Sequence, residues 1–69
     1  MSELTPQQAV EALIQANWSE ARIAREVGTS QPTIHRIKRG HQGAAYLTVS
    51  KLLELARAEL AAGEQSHAA

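Results

Sequence analysis

Apolar residues recur at three- and four-residue spacing in four separate stretches of this chain, and capping or turn residues bound each stretch. In the first, Val10, Leu13 and Ile14, ending on the polar Asn17, form an inward stripe on a helix from about Pro6 to Ala16. Thr5 is a natural N-cap, Gln8 completes a capping box, and Pro6 falls at the first helical position, where its missing N–H is not needed. In the second, Ile23, Ala24 and Val27 follow a Ser19 cap, and Trp18 is spaced to staple onto Ile23. Gly28 ends this helix by offering a left-handed conformation at little cost. In the third, Ile34 and Ile37 follow a Ser30 cap, Pro32 sits in the first turn, and Gly40 closes the helix.

A loop is expected from His41 to Leu47. Thr48 is the expected cap of the last helix, with Leu47 stapling to Leu52 and an inward stripe of Val49, Leu52, Leu53, Ala56 and Leu60. That helix is expected to end near Gly63, leaving EQSHAA as a frayed tail. The segment YLTVSK has alternating β-branched character and would suit a strand, but KLLELARAELAA beside it is rich in helix formers with a 3.6-residue period. The reading is therefore all-α: a small bundle of four to five short helices. It makes one domain over residues 1–69, with an ordered core at 5–62 and a frayed tail at 63–69.

The chain has 69 residues, enough for one small core. A domain of this size buries roughly 60% of its unfolded surface, so its stability is marginal. With no cysteine there are no disulfides and no thiolate metal sites, which fits a reducing cytoplasm. No apolar run is long enough to span a membrane, and MSELTPQQ is neither basic nor apolar as a secretion signal is. The three histidines are scattered (His35, His41, His67), without acids at ligand spacing. There is no glycine-rich phosphate loop and no nucleophile paired with a base. The sequence accordingly predicts no enzyme, no metal, no cofactor and no small-molecule substrate.

Formal net charge is zero, but its distribution is uneven. Residues 19–41 hold five of the seven Lys/Arg (Arg22, Arg25, Arg36, Lys38, Arg39) and two of the seven acids (Glu20, Glu26), a local charge of +3. The remainder carries −3, from Lys51 and Arg57 against Glu3, Glu11, Glu54, Glu59 and Glu64. A basic patch on an otherwise acidic molecule is the footprint of a polyanion binder.

The run from Glu20 to Arg39, EARIAREVGTSQPTIHRIKR, has the form of two short helices joined by a tight glycine turn, the second with a polar, basic face. With Ala24 at the helix–helix contact, Gly28 in the turn, Ile34 and Ile37 facing the core and Gly40 closing, it resembles the helix-turn-helix of lambda-type phage repressor and Cro proteins. YLTVSKLLELARAEL resembles the helix that follows in the same family, so the resemblance covers about residues 5–62. Similar units occur in resolvases, transposases and antitoxins.

The resemblance implies roles. Gln31 and Pro32 would open the recognition helix against base edges, with His35 and Arg36 one turn further on. Thr33, between them, would meet a phosphate or a thymine methyl, and Ser19 a phosphate. Glu20 departs from the glutamine common in relatives; an acid there repels phosphate, so no contact is carried over to it. Pro32 departs from a polar residue and favours apolar contact. The chemistry points the same way: glutamine pairs with adenine N6 and N7, and arginine with guanine O6 and N7, each good pair being worth about 1–3 kcal/mol of discrimination. Lys38, Arg39 and His41, at the end of the helix, are placed for backbone phosphates, which set affinity and salt dependence.

One such unit reads only a few base pairs, so a homodimer is expected, in solution or only on DNA, with half-sites about 34 Å apart. Leu55, Ala58 and Ala62 lie off the inward stripe and are a candidate contact. The expectation is a stand-alone, Cro-like phage or prophage repressor acting on a pseudo-palindromic operator in the bacterial host cytoplasm, associated with the nucleoid. The alternatives are a small protein-interaction module or antitoxin on the same fold, for which Glu20 and the zero net charge speak, and the DNA-binding part of a recombinase or transposase.

Overall fold

In the computed structural model, which describes the backbone of residues 4–68 and the side chains of 4–62, the chain forms four helices: α1 (Pro6–Gln15), α2 (Glu20–Val27), α3 (Gln31–Lys38) and α4 (Tyr46–Ala68). No strand occurs among the described residues, and YLTVSK lies in α4. The first three helices begin as the sequence predicts. Thr5 Oγ1 accepts from the Gln8 amide at 3.1 Å and Gln8 Oε1 accepts from the Thr5 amide at 3.1 Å, a complete capping box. Ser19 accepts from the Arg22 amide and Ser30 from that of Thr33.

The same three helices end alike. After α1 the amides of Asn17 and Trp18 return to the carbonyls of Ile14 and Leu13. After α2 the amide of Thr29 returns to Ala24, and after α3 those of Gly40 and His41 return to Ile37 and Arg36. The residue at each turn is left-handed: Asn17 (φ 74°), Gly28 (φ 83°) and Gly40 (φ 91°). Asn17 is therefore exposed and closes α1, rather than ending its inward stripe. Asparagine tolerates this conformation better than other residues with a Cβ.

The core lies where α1 and α4 meet the α2–α3 pair. Leu13, Ile23, Ile34, Leu52 and Val10 are its largest fully enclosed side chains, and Ala9, Ala24 and Ala56 fill the close helix contacts. Ala9 was not part of the predicted stripe; its side chain is small enough for a neighbouring helix to cover it completely. Trp18 is buried in the core, and the Arg22 guanidinium lies over its ring at 3.7 Å from the centroid.

The last helix departs most from expectation. It starts at Tyr46, with the Val49 amide bonded to the Ala45 carbonyl, so Thr48 is inside the first turn and does not cap it. The staple goes with the cap. Leu47, now helical, lies five residues and about 140° around the axis from Leu52 and is 70% exposed. The helix also continues through Gly63 to Ala68, past its expected end and through most of the segment expected to fray; Ala69 lies outside the described residues. Leu60 is 48% exposed, whereas Leu55, expected on the outer side, is partly buried against the core. At about 1.5 Å per residue, α4 is some 34 Å long against about 15 Å for α1, so its second half outruns its partner.

Candidate nucleic-acid interface

Helix α3 exposes its outer face because Ile34 and Ile37 draw the opposite face into the core. At 3.6 residues per turn, Pro32 and Arg39 then stand furthest from the core, flanked by His35 on one side and Arg36 on the other. All four residues are exposed, as is Gln31. These are the positions expected to meet bases, together with Arg39, which caps the helix. The left-handed turn at Gly28 sets the approach of α3 to α2, and Gln7 of α1 holds its far end by donating to the Lys38 carbonyl at 3.1 Å.

One flank of α3 faces the first turn of α2. There Glu20 Oε2 lies 3.2 Å from His35 Nδ1 and 3.5 Å from Lys38 Nζ, and the Glu20 side chain is only 18% exposed. The hydrogen bond with His35 pulls the Glu20 pKa below its ordinary value; partial burial works against it, while the charges of His35 and Lys38 and the Gln31 amide add to the lowering. Gln31, His35 and Lys38 follow i, i+4, i+7 spacing and so share this flank. Glu20 is thus the acceptor that ties the two helices of the motif together. In the sequence Glu20 stands out only by its charge, which misfits a phosphate and speaks for the protein-interaction alternative. The signal lay in that spacing, read against the position of Glu20 at the start of the preceding helix.

The other flank opens on a groove of about 320 Å³ between α3 and the start of α4, lined by Thr29, Thr33, Arg36, His41, Gln42 and Thr48 among others. Thr33 is half-buried, and its hydroxyl is 2.9 Å from that of Ser30. The structure therefore gathers Thr33, Arg36 and His41 around one groove. It sets Lys38 apart from them on the Glu20 side and leaves Ser19 exposed at the head of α2. Thr29, Gln42 and Thr48 are not among the residues the sequence places at the interface, because only the approach of the loop to α3 brings them together.

Among the described residues no group of His, Asp or Glu is arranged to hold a metal ion, and no helix is long and apolar enough to cross a membrane. A polar, basic helix face held clear of the core beside an open groove has the features of a surface for double-stranded DNA.

The Helix-turn-helix family model matches residues 11–61. The chain belongs to the lambda repressor and Cro-like helix-turn-helix family. With membership comes the coarse function, that of a DNA-binding domain of the transcription-regulator type. No curated protein and no solved structure matches the chain.

Proposed function

We propose that this chain is a Cro-like repressor of phage or prophage type, which binds a pseudo-palindromic operator as a dimer in the host cytoplasm and blocks polymerase there. The observation that carries the reading is the outer face of α3, where Pro32 and Arg39 stand outermost between His35 and Arg36, all exposed. Gln31, Pro32, His35 and Arg36 are assigned to base edges, with Arg36 and Gln31 able to make paired hydrogen bonds to guanine and adenine. Ser19, Thr33, Lys38, Arg39 and His41 are assigned to phosphates. The groove beside Arg36 and His41 supports those two phosphate contacts that lie on it, at Thr33 and His41.

Glu20 and the zero net charge are the support for a protein-interaction module without DNA binding. Lys38 and the hydrogen bond with His35 offset part of the Glu20 charge, which weakens the first of these and leaves the second. For the dimer, the exposed Leu47 joins the exposed Ala58 and Ala62 of the expected contact along α4. Leu55 contributes less than its position suggests, because it already packs inward.

The test is a binding selection from random duplexes, followed by titration of the selected and a scrambled duplex at two salt concentrations. Preference for the selected duplex, retained at the higher salt, and two half-sites about one helical turn apart are expected. Equal affinity for both duplexes would sink the repressor reading.

A further inference from the structure

Glu20 belongs to α2, yet the polar partners of its side chain, Gln31, His35 and Lys38, all lie on α3. A carboxylate only accepts hydrogen bonds, so at 3.2 Å the Nδ1 of His35 must be the nitrogen that carries the hydrogen. In the neutral ring the other nitrogen, Nε2, is then a bare acceptor. Nε2 has no hydrogen-bond partner among the described residues, and the His35 side chain is 51% exposed beside the outermost line of α3. Lys38 shares the same carboxylate oxygen from one turn further along, which restrains the carboxylate from the other side.

We infer that Glu20 is a specificity-determining residue acting through His35: it holds the ring in the Nδ1–H form, so that Nε2 accepts from the amino group of a base. The inference rests on the reading of α3 as the helix in the major groove. There the amino donors are N4 of cytosine and N6 of adenine, whereas the O6 and N7 of guanine are acceptors and meet a bare Nε2 unfavourably. Glu20 is a positioning residue in this scheme. It does not touch the base, and its negative charge opposes DNA binding in general. Its two effects therefore have opposite signs, which separates this role from a merely structural one.

The experiment uses the full chain at about pH 8. The half-site is selected first, and the base pair whose preference disappears in His35→Ala is identified. Wild type, Glu20→Gln and Glu20→Ala are then compared on duplexes differing only at that pair, and on scrambled DNA. The wild type is expected to prefer cytosine or adenine over guanine by about fivefold or more, the scale of one hydrogen bond. In Glu20→Ala that preference should shrink to within about twofold, whereas Glu20→Gln, whose Oε1 can still accept from Nδ1, should retain it; affinity for scrambled DNA rises in both, because a negative charge has gone and Lys38 is released. Ring-nitrogen NMR of the free proteins should show the Nδ1–H form in the wild type and its loss in Glu20→Ala.

A Glu20→Ala protein that keeps the wild-type preference at that pair overturns the inference, as does a wild type that prefers guanine there or shows the Nε2–H form. Lower affinity for every duplex, with preference intact, makes Glu20 structural only and also overturns it. A wild type with no sequence preference overturns the repressor reading itself and this inference with it. The ring-nitrogen spectrum reports separately whether the Glu20–His35 contact exists.

Discussion

The side-chain amide of Gln7, in the first turn of α1, donates to the backbone carbonyl of Lys38 at the end of α3, at 3.1 Å across 31 residues of sequence. Carbonyls at a helix end lack partners within the helix, so this bond supplies one from outside and pins α3 against α1. Gln7→Ala is expected to lower stability by about 0.5–1 kcal/mol, the low end for a hydrogen bond because water can reach this exposed carbonyl. Urea denaturation should show a lower midpoint with an unchanged slope. A midpoint equal to wild type would mean that water replaces the bond at no cost.

Glu20 makes the fold sensitive to acid in a defined direction. Its pKa is lowered in the folded chain, chiefly by the His35 hydrogen bond. A group of this kind contributes stability in full above its unfolded value, near the ordinary 4.5, and loses it as pH falls through the lower folded value. Wild type should therefore lose more stability between about pH 6 and about pH 3 than Glu20→Gln, whose side chain does not titrate. Thermal melts of both proteins across that range would show it, and parallel pH profiles would contradict it.

Gly28 and Gly40 take positive φ angles of 83° and 91° in open or ordinarily packed space. Nothing lies within 4 Å of a Cβ at Gly28, and at Gly40 the nearest atoms are those of the Gln7 amide at 3.5 Å. The cost of an alanine is thus that of the backbone, about 1–2 kcal/mol, and it should be alike at the two sites. Chemical denaturation of G28A and G40A checks this. A much larger loss at Gly40 would place a steric conflict with Gln7 that the spacing does not contain.

Lys38 and Arg39 are neighbours with different electrostatic surroundings, since Lys38 is already paired with Glu20 at 3.5 Å. On the proposed DNA-binding mode, Arg39→Ala should flatten the dependence of log affinity on log salt by about 0.9, the value for one phosphate contact. Lys38→Ala should flatten it clearly less, because its charge is partly satisfied within the protein. Titrations at several salt concentrations measure both slopes, and a larger change for Lys38→Ala would reverse the assignment.

The starts of the first three helices and the ends of α2 and α3 are legible because they depend on residues within five positions of one another, whereas the closing role of Asn17 after α1 is not. Thr5, Ser19 and Ser30 cap where their short oxygens reach nearby amides, and Gly28 and Gly40 supply positive φ. The start of α4 was misread because Thr48 has the chemistry of a cap but its backbone is recruited into a helix that begins at Tyr46. Of the interface, the exposed residues of α3 follow from the inward pull of Ile34 and Ile37. The Glu20 contacts and the groove from Thr29 to Thr48 depend on how the helices and the loop approach one another, which single-chain periodicity does not encode. The Arg22–Trp18 stack was hidden for a different reason: Trp18 had been read for its apolar body alone, not for the face it offers a cation.

The left-handed closures at Asn17, Gly28 and Gly40 bear on how the chain reaches this shape. Each of these three helix ends is settled by bonds between near neighbours, so the turns do not wait on the meeting of α1 and α4, the most distant pair. Helical proteins dominated by such local contacts fold in microseconds to milliseconds. A nascent chain of this kind passes quickly through the stage at which its apolar stripes are open to other molecules.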